Sequence, residues 1–141
     1  MNCGMKAQMF ALFLLLELGA FAANLPTVTV EHLYFLATRG EQVRKLSSEN
    51  MVEYCLAQKL GNTTFENLYE QLMSIRIELV KLVTLDEVPV QDSRVVALKK
   101  KRDEYEKLLF EEARKIQQGL VREGTIADET LRAIARVQEG R

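Results

Sequence analysis

The chain contains one histidine, His32, and two cysteines, Cys3 and Cys55, so chemistry built on imidazole or thiolate has three residues to draw on. A catalytic zinc site needs several His, Cys or carboxylate ligands at short spacing. His32 stands alone beside Leu33 on a mainly apolar stretch and reads as a packing or capping residue. The adjacent acidic pairs Glu111-Glu112 and Asp86-Glu87 would point about 100° apart on a helix and cannot both face one ion. No Glu-x-x-His motif offers a di-iron bundle, and no Gly-x-Ser-x-Gly elbow presents a serine nucleophile. Cys55 lies between Val52 and Leu56 on an apolar face, where cysteine packs as a small hydrophobe rather than as a reactive thiolate. The glycines are scattered and form no phosphate-cradling loop. These residue types predict no catalytic site, no metal and no cofactor.

Charge is equally uninformative about a polyanionic partner. Nineteen Lys and Arg against 20 Asp and Glu give a formal net charge of -1. The one basic run, Lys99-Lys100-Lys101-Arg102, would sweep round a helix rather than line one side, and Asp103 and Glu104 come directly after it. A solvated, salt-bridged helix surface is the expectation there, with no nucleic-acid partner.

One segment suggests an enzyme. Pro89-Val90-Gln91-Asp92-Ser93-Arg94, between two helical patterns, resembles the inter-helix segment of the all-helical chorismate mutases. That resemblance implies catalysis by positioning, with cations holding a dicarboxylate and an acid orienting its hydroxyl. Arg76, Lys81 and Arg94 would supply the cations and Asp92 the acid. The chain departs from the family pattern in the Lys-to-Asp and Asp-to-Arg separations, and it has Arg94-Val95 where an Arg-Glu pair belongs.

The strongest periodic signal belongs to packing. Phe65, Leu68, Leu72, Ile75, Leu79 and Leu82 fall at spacings of 3, 4, 3, 4 and 3, and Tyr69, Met73, Val80 and Val83 form a second row. So broad an apolar stripe belongs to a helix packed in a bundle. Phe65, Tyr69, Leu72, Met73, Leu79 and Val83 are the candidate interaction face. They line either the protein's own core or a seat for a protein partner or a second copy.

Around this stripe the sequence predicts an all-α fold: a small helical bundle with two long antiparallel helices (about 64–84 and 92–123) and two or three shorter ones. Thr29 caps a first short helix ending before Gly40, and Ser48 caps a second ending at Leu60, with Gly61 as the left-handed residue beyond it. Thr63 and Glu66 form a capping box for the first long helix. Pro89 breaks it from the second, which Asp92 or Ser93 starts. Val95, Leu98, Tyr105, Leu109, Ala113, Ile116 and Leu120 point inward from the second long helix. Gly124 stops it, and Asp128 begins a last helix that folds back as an αα-hairpin.

The N-terminus has its own composition. Lys6 precedes an apolar run from Met9 to Leu16, and Ala20-Phe21-Ala22 places small residues at the two positions a signal peptidase must fit. Residues 1–22 read as a secretory signal peptide, leaving 23–141 as a single helical domain with no stable membrane span. The alternative is a cytoplasmic protein with a buried N-terminal helix. Removal of residues 1–22 leaves Cys55 as the sole cysteine, and Asn62-Thr63-Thr64 fits the N-glycosylation sequon. The resulting expectation is a non-enzymatic protein, secreted or periplasmic, acting by protein–protein contact as an adaptor, a secretion or envelope component, or a secreted effector. A carrier of small apolar ligands is the second reading, and a chorismate-mutase-like enzyme the third.

Overall fold

The computed structural model describes residues 28–140, so the signal-peptide reading of residues 1–22 lies outside the described residues. The chain is all-α: α1 (Val30–Arg44), α2 (Ser48–Gln58), α3 (Thr63–Val80), a π-helical turn (Lys81–Leu85) and α4 (Ser93–Glu139). Chain packing divides into two compact units. One combines the described residues through Lys45 with the chain from Gly119 onward, and the other is Leu46–Gln118.

In the Leu46–Gln118 unit, helix starts are set by side chains that accept free amides. The Ser47 hydroxyl accepts from the Asn50 amide at 3.2 Å, and Asn62 Oδ1 accepts from the Phe65 amide at 2.8 Å. Both caps sit one residue before the expected Ser48 and Thr63. A hydroxyl or amide serves only if its backbone is still extended, and Ser48 and Thr63 are already helical. Helix α2 ends on Lys59, left-handed at φ 53, whose amide donates to the carbonyls of Cys55 and Leu56. Gly61 is not the left-handed residue. A Cβ there would lie 2.6 Å from the Phe65 ring, so that glycine makes room for a buried aromatic.

The predicted stripe forms the core of this unit. Phe65, Leu72, Ile75 and Leu79 of α3 are buried, as are Met51, Val52 and Cys55 of α2 and Val95, Leu109 and Ala113 of α4. Ile75, Leu79 and Val95 form one cluster, with Leu82, Val88, Leu98 and Tyr105 packed against it. Each fully buried Val, Leu, Ile, Phe or Met among them contributes roughly 1.5–3 kcal/mol through apolar area removed from water. Polar ties keep the same register: Asn62 Nδ2 donates to Glu112 at 3.0 Å, and Arg76 pairs with Glu106 at 3.7 Å. Partners therefore step back along α4 as α3 advances. The first long helix occupies the expected span but finishes as a π turn. The Asp86 amide reaches the Lys81 carbonyl at 3.0 Å, and the Val88 amide reaches the Leu82 carbonyl at 2.9 Å.

In the other unit, α1 packs on the second half of α4, and two predicted stops are overturned. Helix α1 runs through Gly40 to Arg44, and α4 runs through Gly124 to Glu139, so the αα-hairpin is absent and the 92–123 boundary is too short. Both glycines serve the same contact. A Cβ on Gly124 would lie 2.8 Å from Gly40 Cα and 3.0 Å from the Leu36 carbonyl oxygen. A Cβ on Gly40 would lie 2.9 Å from Gly124 Cα and 3.1 Å from the Leu120 carbonyl oxygen. Backbone meets backbone where neither chain carries a side chain. Val43, Leu120 and Ala127 are buried around the crossing. Thr125 and Thr130 hydroxyls donate to the carbonyls of Val121 and Ile126 within the helix (3.0 and 2.8 Å), so neither residue breaks it. The expected Thr29 cap is present, its hydroxyl accepting from the His32 amide at 3.1 Å.

Two measurements check the crossing and the core. Gly119 lies on the same helix, where a Cβ would have nothing within 4 Å. Gly119→Ala should therefore stabilise by up to about 1 kcal/mol through helix propensity alone. Gly124→Ala should lower the midpoint, because only backbone atoms oppose its new methyl and they cannot rotate away. Equal stabilisation at both positions in urea titrations would remove the crossing from the structure. Leu72→Ala should cost roughly 2–5 kcal/mol, and an unchanged urea midpoint would show that Leu72 is not in the core.

Candidate functional site

The six residues of the predicted face do not share one environment. Phe65, Leu72 and Leu79 are buried in the core of the Leu46–Gln118 unit. Tyr69 and Met73 are half-buried, and Val83 is exposed at its edge. The remaining surface of α3 is more apolar than the core requires. Ile77 is 70% exposed and Val80 61%, and Leu85 in the π turn is 73% exposed. At 100° per residue, Tyr69, Met73, Ile77 and Val80 fall within roughly a quarter-turn of one another, beside the buried face. The result is an outer apolar row along α3; Leu85, in the π turn, is a further exposed apolar residue beyond its end, whereas Val83, two residues earlier, points to another side. Arg76, paired with Glu106, marks the rim nearer the core.

The π turn shapes the end of this row. A five-residue repeat shifts the angular position of every later residue, so Leu82 and Val88 still reach the core cluster while Leu85 projects outward. Ile77 and Leu85 are absent from the predicted face. Ile77 is legible in principle, being four residues after Met73 and three before Val80, whereas Leu85 depends on a local widening that no spacing rule contains.

Two of the three cations implied by the chorismate-mutase resemblance, Arg76 and Arg94, are paired with carboxylates. Arg94 donates to Asp92 through Nε and Nη2 at 3.0 and 3.2 Å, and Asp92 also accepts the Arg94 amide at 2.9 Å. This places Asp92 as the cap of α4. The hydrogen bonds from Arg94 hold its carboxyl below the usual carboxylate range. Arg76 is committed to Glu106, and Lys81 is exposed in the π turn. Arg102 pairs with its neighbour Asp103 at 2.7 Å, and Lys101 lies over the Tyr105 ring at 5.9 Å. Arg102 is thus the one member of the basic run held in an ion pair among the described residues.

The other chemically capable residues are also placed. Burial pushes the Cys55 thiol upward from its ordinary pKa, which disfavours the nucleophilic thiolate. His32 is exposed and its ring stacks 6.2 Å from Phe35. Asn62, the sequon asparagine, uses Oδ1 to cap α3 and Nδ2 to reach Glu112. Hydrogen bonds from Asn62 and Lys115 hold the Glu112 carboxyl below its ordinary pKa. No group of three or more His, Cys, Asp or Glu able to hold a metal ion occurs among the described residues. No helix among them is long and apolar enough to cross a membrane.

Comparison with known proteins finds no matching family model, no matching curated relative and no matching solved structure. The site must therefore be read from its own chemistry, and that chemistry is apolar surface.

The solvent exposure of the basic run is testable. Replacing Lys99, Lys100, Lys101 and Arg102 together by Gln should shift the denaturation midpoint little, since exposed pairs contribute at most about 1 kcal/mol each. A large loss of stability would show that the run is held in a buried network instead.

Proposed function

We propose that the protein is a non-enzymatic, exported helical protein that works by contact with another protein, as an adaptor, an envelope or secretion component, or a secreted effector. The observation supporting this reading is the outer side of α3 and the π turn after it, where Ile77, Val80 and Leu85 stand in solvent beside a core already filled by Leu72, Ile75 and Leu79. Contiguous exposed apolar side chains on a helix suit a helix-in-groove partner, with anchors spaced three and four apart. Met73 adds a flexible, polarisable contact at the centre of the row. Export rests on Lys6, the Met9–Leu16 run and Ala20-Phe21-Ala22.

Ile77→Glu and Val80→Glu test the reading directly. Both side chains already face water, so helix content and denaturation midpoint should stay close to those of the parent chain. A partner retained from the native source by the parent chain should be lost by the double variant. Retention of the same partners by both chains, with folding intact, would end the assignment of this surface. N-terminal sequencing of the protein recovered from its native compartment should begin at Ala23, and a chain starting at Met1 would end the export reading.

A further inference from the structure

The second half of α4 carries another exposed apolar stripe, separate from the α3 row and made of different residues. Ile126 and Val137 are 56% and 49% exposed, and Thr130 and Ala133 between them are half-buried. Their spacing is 4, 3 and 4, the interval of a coiled-coil seam. Leu120, Gly124 and Ala127, which meet α1, lie on an adjoining face of the same helix. The Arg39–Glu123 ion pair at 2.9 Å shows on which flank the stripe lies. Glu123 sits on the stripe's side of α4, and Arg39 holds its guanidinium 5.2 Å from the Phe35 ring. Phe35 is 56% exposed, so an aromatic of α1 stands on the same flank.

We infer that this flank is the interface of a symmetric dimer, in which α4 pairs antiparallel with α4 of a second copy about a two-fold axis between residues 131 and 132. The stripe is complementary to its own reversal. In that register Ile126 meets Val137 of the partner subunit, and Thr130 meets Ala133 of the partner subunit, large against large and small against small. Charge selects the same alignment. Along the solvent edge of the stripe stand Glu129 and Arg136, neither of which makes an ion pair among the described residues. The register that aligns the apolar layers also places Glu129 against Arg136 of the partner subunit, twice by symmetry. An isologous interface of this kind closes on itself and leaves no end to propagate. The seam spans twelve helical residues, so the buried area falls at the low end for a specific complex, below about 1,200 Å² in total, and the dimer is reversible.

Sedimentation equilibrium of the whole chain across a wide concentration range tests this. The expected result is a monomer–dimer equilibrium. Ile126→Glu should raise its Kd by about tenfold or more, because the new charge would enter the seam without a partner. Glu129→Arg and Arg136→Glu should each weaken the dimer by about threefold or more through like-charge opposition. Combining the two in one chain should restore the parent Kd, a rescue that general surface disturbance would not produce. Circular dichroism should be unchanged in all four proteins, since every altered side chain is exposed. A monomer at all concentrations, a dimer indifferent to Glu129 and Arg136, or a dimer abolished by Val80→Glu but not by Ile126→Glu would overturn the inference.

Discussion

Two helix backbones can come within van der Waals contact only where neither carries a side chain, and α1 and α4 meet at such a place. Gly40 and Gly124 each lack the conformational restriction of a side chain, a loss of roughly 1 kcal/mol per residue relative to alanine in a helix. Set against that loss is a crossing in which Leu36 and Leu120 carbonyls approach the opposite chain and Val43 and Ala127 close over the contact. Much of that unit depends on it. The closeness brings Arg39 within reach of Glu123, and the two pair across the helices at 2.9 Å. A methyl group at either glycine would push against peptide atoms, so the unit has little tolerance at its centre and more at its edges.

The Leu46–Gln118 unit is held differently, by ordinary interdigitation of leucine, isoleucine, valine and methionine. Here three helices share a core, and polar groups lie at its margins as caps and ties. Asn62 does two jobs there: its carbonyl oxygen caps a free amide of α3, and its amide nitrogen reaches the carboxylate of Glu112. With the core filled, the apolar residues left over on α3 stand out as surface.

Much of this is readable from residue order because the signals are local. Thr29 before a helical run, the 3-4-3-4 spacing from Phe65 to Leu82, and Pro89 as a break all act within a few residues of themselves. The same periodicity points Val95, Leu109, Ala113 and Leu120 inward, and all four are buried. The two overturned glycine stops share one physical cause. A glycine that ends a helix and a glycine that admits a neighbouring helix look alike in one dimension, and only distant Gly40, facing it across the crossing, separates Gly124 from a stop. Gly61 misleads differently, its role being set by the ring of Phe65 four residues on. The candidate face divides between core and surface because spacing defines a stripe but not how many neighbours will cover it.

Cys55 gives the Leu46–Gln118 unit an internal chemical clock. Its sulfur is sealed among apolar side chains and held as the unreactive thiol, so a water-soluble alkylating reagent reaches it only when the unit opens. With opening and reclosing faster than alkylation, the labelling rate under native conditions is the reagent's intrinsic rate multiplied by the open fraction. A single sulfur atom thereby reports the local opening equilibrium without added denaturant.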